Sequence, residues 1–117
     1  MGILGFGKNK QKTGGAFSEY DSFDKVGSAV KLGILTPMYI MSPMFGGAED
    51  ESNILYVPPS IISVKEMIDN ILVDALESGK SVNYSASPQY KGNSVVPSSI
   101  DIKVSGDVNI NQTINIW

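Results

Sequence analysis

The last third of the chain alternates apolar and polar residues with a period of two. Every second residue is apolar from Val82 to Ser87, from Ile100 to Ser105 and from Val108 to Trp117, with Gln112 as the one break. This period is typical of strands that have one buried face and one wet face. Ser105-Gly106-Asp107 provides a tight turn, so the last two strands are predicted to form a hairpin.

A helix is predicted from residue 64 to residue 78. Ser63 and Glu66 hold the two positions of a capping box, and Gly79 stands where a left-handed residue ends a helix. The apolar residues share one face, and the charged residues lie mainly off it. The apolar set is Val64, Met67, Ile68, Ile71, Leu72, Ala75 and Leu76, and the charged set is Lys65, Glu66, Asp69, Asp74 and Glu77.

Short apolar runs bounded by proline precede this helix. Val30–Leu35 comes before Thr36-Pro37, and Met38–Met41 comes after it. Runs of this length favour buried strands, so two strands joined around Thr36-Pro37 are predicted. Ile54–Val57 is predicted as a further brief strand, which Pro58-Pro59 ends.

The start of the chain is less regular. Phe17, Tyr20 and Phe23 recur at three-residue spacing, which fits either a helical turn or a loop with aromatic anchors. Residues 1–15 are rich in glycine and lysine and are predicted to be a flexible basic arm, whereas residues 16–117 form a single domain. The element order β-β-α-β-β-β predicts an α+β fold, with one amphipathic helix packed on a mostly antiparallel sheet.

The amino-acid composition excludes more classes of function than any motif does. The chain of 117 residues contains no cysteine, no histidine and no arginine. It therefore has no thiol nucleophile, no imidazole base and no guanidinium clamp for phosphate. We predict a non-catalytic protein that uses no cofactor and holds no metal.

The distribution of charge along the chain indicates which class of partner it binds. Lys8, Lys10 and Lys12 lie in the arm, so residues 13–117 carry six more acidic residues than lysines, and the whole chain has a formal charge of −3. This balance argues against nucleic acid as the main partner and favours a protein.

The location is predicted from hydropathy. No run approaches the ~20 apolar residues of a membrane span. The apolar start precedes the lysines, unlike a signal peptide. That start fits either a solvated terminus or a segment that touches an anionic membrane surface. We predict a cytoplasmic protein with no membrane span.

Glu49, Asp50 and Glu51 form an acidic run in a glycine-containing loop. Such a run is either a solvated loop or a patch that faces a protein partner. Oxygen ligands of this kind also bind hard cations, but the spacing fits no EF-hand. The run is therefore assigned to partner contact and not to a metal.

The C-terminal strand is the second candidate for partner contact. Asn109, Asn111 and Asn115 share one face, beside Asn83. They form either the ordinary wet face of a sheet or a polar ladder for a partner strand. At a sheet edge, the backbone of this strand and the side chain of Trp117 would recruit another chain, which is either a different protein or a second copy.

Several motifs follow one another in a recognisable order. They are Met44-Phe45-Gly46-Gly47, then Asn53-Ile54-Leu55-Tyr56-Val57-Pro58, the helix, Gly79-Lys80-Ser81-Val82, and a segment from Pro88 through Tyr90, Gly92, Ser94 and Pro97 to Ile100. This order, over residues 40–106, resembles the DNA/RNA non-specific endonucleases found as bacterial toxin domains. The resemblance implies a fold of the ββα-metal type.

The functional residues of that family do not carry over. Tyr39 stands where the general-base histidine precedes Phe-Gly-Gly, and Ser63 or Val64 stands where a metal-binding asparagine is expected. A tyrosine with a pKa of about 10 is a poor base at neutral pH. The resemblance therefore implies a nuclease scaffold without its chemistry, and Tyr39 is assigned to partner contact.

The leading prediction is a non-catalytic protein-binding domain, most concretely an immunity or inhibitor protein of a bacterial toxin. Two alternatives remain. One is a divergent metal-dependent nuclease that uses Tyr39 with aspartate and glutamate. The other is a structural subunit, a homo-oligomer assembled through the C-terminal edge strand.

Overall fold

The structure, a computed structural model, describes residues 16–117; the arm predicted for residues 1–15 lies outside this range. Two helices and two antiparallel sheets confirm the α+β class. Within the described range, no helix combines the length and hydropathy that a membrane span requires. The helices are α1 (Phe23–Lys31) and α2 (Ser60–Glu77), and the strands are β1 (Thr36–Tyr39), β2 (Ile54–Val57), β3 (Val82–Gln89), β4 (Ser99–Gly106) and β5 (Ile110–Asn115).

Strands β3, β4 and β5 form an antiparallel sheet with β4 in the centre. The isoleucines and valine of β4 are buried, and alternate residues face outward, as the period of two predicts. The predicted hairpin is confirmed, since Val104 of β4 lies opposite Ile110 of β5. Gly106 ends β4 with φ 106°, a conformation that glycine adopts without strain.

The N-terminal part is helical where a strand was predicted. The strand predicted for Val30–Leu35 is wrong, because α1 includes its first residues and a turn at Gly33, with φ 76°, follows. The hydroxyl of Ser22 caps α1 by accepting a hydrogen bond from an amide of the first turn. Val26 and Ala29, three residues apart, are buried, so helical spacing decides which side chains reach the core.

The second sheet contains β1 and β2. Thr36-Pro37 was predicted to join two strands but belongs to β1, in which Thr36 lies opposite Val57. Proline is tolerated there because both strands of a two-stranded sheet are edges. The brief strand predicted for Ile54–Val57 is confirmed. The five strands and α2 keep the order β-β-α-β-β-β, with α1 added in front.

Helix α2 begins at Ser60, earlier than predicted. Ser63 lies inside the helix, where its hydroxyl donates to the carbonyl of Ser60 at 3.2 Å, so the capping box with Glu66 does not form. Pro59 precedes the helix, and its fixed φ is compatible with a helical start. The predicted end is confirmed: Gly79 has φ 80°, and the amides of residues 79 and 80 bond back to the last turn as a Schellman motif.

Two hydrophobic clusters form the core. The larger lies between α2 and the two sheets, and the smaller lies under α1. The connection between β3 and β4, residues 90–98, contributes the fully buried Val96 to the smaller cluster. The larger cluster contains Met38, Leu55, Val57, Ile61, Ile68, Leu72, Ile100, Ile102, Val104 and Ile114, and the smaller contains Val26, Ala29, Leu35 and Val96.

Lys65, which was predicted to lie off the buried face of α2, is only 3 % exposed. Its ammonium nitrogen lies 2.9 and 3.1 Å from the two carboxylate oxygens of Asp69 and 5.7 Å from the centroid of the Tyr84 ring. Burial, with a smaller effect of the Asp69 charge, raises the pKa of the Tyr84 phenol. The protonated hydroxyl donates to the carbonyl of Ile40 at 2.6 Å. An ion pair therefore fixes which flank of α2 faces β3.

Breaking this pair from its two sides is expected to have unequal effects. Asp69→Asn leaves a buried ammonium without its counter-charge, so we expect a loss of about 3 kcal/mol in the free energy of unfolding. Lys65→Met leaves a carboxylate that is 20 % exposed and can hydrate, so we expect a loss of about 1 kcal/mol. Urea denaturation measures both, with exposed Glu66→Gln as the control. Equal losses, or the reverse order, would contradict this account.

Candidate protein-binding edge

Strand β5 is an edge of the three-stranded sheet. Among residues 16–117 it pairs only with β4. Four of its six residues are exposed, and Ile114 is its one fully buried member. Residues 108–117 contain no charged residue and no proline. Edge strands are usually blunted by such residues, so β5 presents a backbone that is open to pairing.

The opposite edge, β3, is less open. Pro88 removes one backbone donor from it. The hydroxyl of Tyr84 reaches the carbonyl of Ile40, which brings the end of β1 against the same strand. At its start, the amide of Ser81 donates to the carboxylate of Asp107 at 2.8 Å. The two edges of one sheet therefore differ in what they offer to another chain.

The polar face of the sheet brings predicted residues together. Ser85, Lys103 and Asn111 lie side by side on the three strands. Asn83, Asn109 and Asn111 contribute to one shallow cavity of about 470 Å³ at the hairpin end. The structure thus places Asn109 and Asn111 beside Asn83, next to the edge. The amide groups are exposed and offer both donors and acceptors.

Trp117 is held by the chain itself. Its indole nitrogen donates to the carbonyl of Val96 at 3.1 Å, and its ring meets that of Phe17 edge-on at 6.3 Å between centroids. The ammonium of Lys91 donates to the carbonyl of Trp117 at 2.9 Å and lies 5.1 Å from its ring centroid. These contacts give Trp117 the role of anchoring the C-terminus, which keeps the end of β5 in place.

The acidic run lies between β1 and β2, in the other sheet. The carboxylate of Asp50 accepts hydrogen bonds from the amide and hydroxyl of Ser52, and that of Glu51 accepts the hydroxyl of Tyr56. Glu49 is exposed. Two of the three acids therefore stabilise their own loop. Within the described part of the chain, no group of three or more acidic side chains is arranged to hold a metal ion.

The residues singled out by the nuclease resemblance lie in two elements. Tyr39 is half-buried at the end of β1, opposite Ile54. Ser63 and Val64 lie in the first turns of α2. These positions come from different elements, and the nuclease alternative stays a prediction.

A flank of α2 was not singled out by sequence reasoning. Met67 is 68 % exposed and Ile71 is 48 % exposed, and the neighbouring Val64 is half-buried. We call these three residues the α2 strip. The sequence predicted that they lie on the buried face of α2, because their helical spacing matches that of the other apolar residues. Lys65 lies on the buried side of α2 instead. The buried face of the helix is therefore turned about the helix axis relative to the predicted face, and the α2 strip lies at the surface.

Comparison with known proteins identified no relative of this chain. No protein-family model and no curated protein matches the sequence. The candidate edge therefore rests on the geometry described above.

The Phe-Gly-Gly segment has a structural explanation of its own. The side-chain amide of Asn53 accepts from the amide of Met41 at 3.0 Å and donates to the carbonyls of Met41 and Ala48 at 2.7 and 2.8 Å. This clamp presses the backbone of Gly47 against the Met41 carbonyl, where a Cβ atom would clash. Glycine is therefore required at position 47 by close approach.

Two glycine substitutions are expected to have opposite effects on stability. Gly47→Ala forces the backbone carbonyl of Met41 to move, so we expect a loss of about 2–3 kcal/mol. Gly27→Ala meets open space on α1, so we expect a gain of about 0.5–1 kcal/mol from helix propensity. Thermal and urea unfolding measure both changes. A Gly47→Ala variant as stable as the parent chain would contradict the clamp.

Proposed function

We propose that this chain is a non-catalytic protein-binding domain that receives a strand of another polypeptide along β5. The observation that carries the proposal is an exposed edge strand with no charge and no proline between residues 108 and 117. Pairing with such an edge gives affinity through backbone hydrogen bonds, and the alternating side chains give specificity. Protein binding of this kind needs none of the side chains that the chain lacks.

The surroundings of β5 support this proposal. On the polar face, Asn109 and Asn111 offer amide groups beside the edge. On the other face, Ile110 is half-buried and Gln112 is exposed, so an added strand would meet one apolar and one polar position there. The contacts of Trp117 hold the end of the strand. A strand held in one place loses little freedom when a partner binds.

A selection experiment tests the proposal without a known partner. The chain is immobilised sparsely, and a phage-displayed library of random peptides is selected on it. We expect extended peptides with alternating apolar residues. Their affinity should fall by about tenfold or more in Gln112→Lys, because a charge on an edge opposes strand pairing. Titration calorimetry on synthetic copies of the peptides measures the change.

The matched control places the same charge on the other edge of the sheet. Ser87→Lys on β3 should bind the peptides as the parent chain does, and NMR shifts should map to the amides of residues 110–115. Peptides that bind Gln112→Lys equally well, or whose shifts map to Glu49–Glu51, would overturn the proposal.

The narrower form of the proposal is an immunity protein that inhibits a bacterial nuclease toxin. The motif resemblance over residues 40–106 suggests this class of partner. The excess of six acidic residues in residues 13–117 supports it, because a nuclease cleft has to be positive to hold phosphate. A protein of this class would act in the cytoplasm of the cell that makes the toxin.

A plasmid assay separates this form from the metal-nuclease alternative. With Mg²⁺ or Mn²⁺, we expect the chain alone to leave supercoiled DNA intact. Mixed at micromolar concentration with a toxin domain of the ββα-metal type, it should reduce nicking and co-elute on gel filtration. Nicking by the chain itself that Tyr39→Phe abolishes would establish the nuclease alternative. Failure to bind any such toxin domain would contradict the immunity-protein proposal. It would not affect the proposal of strand binding along β5, which the peptide selection tests separately.

A further inference from the structure

We propose that a second copy of this chain pairs with β5, so that two three-stranded sheets join in one six-stranded sheet. This inference rests on the proposed function, because it names the strand that the edge receives. Three observations lead to it: the absence of charge along the edge, the match of β5 with itself, and the exposed α2 strip.

Charge favours an edge of this sheet as the place where two copies can meet, and Pro88 on β3 leaves β5 as the more open of the two uncharged edges. Residues 13–117 carry six excess acidic residues, so most contacts between copies bring like charges together. Residues 108–117 contain no charged residue. The nearest charged residues in register, Asp101 and Lys103, lie one strand further in, opposite Thr113 and Asn111. Asp101 accepts a hydrogen bond from the Thr113 hydroxyl at 2.7 Å. A seam formed by two β5 strands therefore brings no charged side chain of either strand directly against the other.

Antiparallel pairing of β5 with its copy also matches side chain to side chain. A two-fold axis perpendicular to the sheet keeps each face on its own side. With the axis at Thr113, the two Thr113 residues meet, and Asn111 of one copy meets Asn115 of the other. Threonine pairs and amide pairs of this kind stabilise neighbouring strands. On the opposite face, Gln112 meets Ile114, and no charge is brought into the seam.

The α2 strip adds exposed apolar surface to the chain. At ~100° per residue, Met67 and Ile71 project from the flank of α2 opposite Lys65. Lys65 lies against Tyr84 of β3, so the strip points away from this contact. Exposed apolar surface of this kind favours association with another chain.

Sedimentation equilibrium and light scattering on the full chain test the inference. We expect a concentration-dependent mass that rises from 12.5 kDa toward twice that value. Gln112→Lys should remain monomeric, whereas Ser87→Lys, with the same charge on β3, should associate like the parent chain. Association that persists unchanged in Gln112→Lys would overturn the inference.

A cross-link tests the register independently of affinity. The chain has no cysteine, so Thr113→Cys and Ser87→Cys each introduce one thiol. Mild oxidation should cross-link Thr113→Cys into a dimer through the two-fold axis and leave Ser87→Cys monomeric. A parent chain that is monomeric at all concentrations, with no cross-link in Thr113→Cys, would overturn the second-copy inference. If the selected peptides still bind in a Gln112-dependent manner, the proposed function survives that failure; if they do not, both fail.

Discussion

The buried backbone of residues 94–98 is the constraint on which the rest of the structure depends. A buried backbone group has to find a hydrogen-bond partner, and this segment finds its partners in three distant parts of the chain. The amide of Val95 donates to the carbonyl of Tyr20 at 2.8 Å, and the amide of Ser98 donates to Gln89 at 2.7 Å. The carbonyl of Val96 accepts the indole of Trp117. The residues just before α1, the sheet and the C-terminus are thereby held around one segment.

This constraint explains why the C-terminal strand is a defined edge. The amides of Ile116 and Trp117 both donate to the carbonyl of Ser98, so β5 is held at its end as well as along β4. The other decisive contact is the Lys65–Asp69 pair, which turns α2 toward β3 and leaves the α2 strip exposed. An ordered open strand and exposed apolar side chains on α2 each suit association with another polypeptide.

The sequence predicted the elements that depend on local signals. The alternation in β3, β4 and β5, the pairing of β4 with β5 and the left-handed Gly79 are all confirmed, because each depends on residues close together in the chain. The tight turn predicted at Ser105-Gly106-Asp107 lies later, at residues 107–109, because Ser105 and Gly106 extend β4. The strand predicted for Val30–Leu35 failed, since a short apolar run fits a helix end as well as a strand. The capping box at Ser63 failed because the helix had already begun one turn earlier, directly after Pro59.

The sequence by itself determined the α+β class, the period of each main element and the absence of thiol, imidazole and guanidinium chemistry. It also pointed to Asn109 and Asn111, because period two places them on the wet face. Only the tertiary structure decided that Lys65 is buried while Met67 is exposed, that Trp117 is an internal anchor, and that β5 and not β3 is the open edge. These outcomes depend on contacts between segments far apart in the chain, which local patterns do not encode.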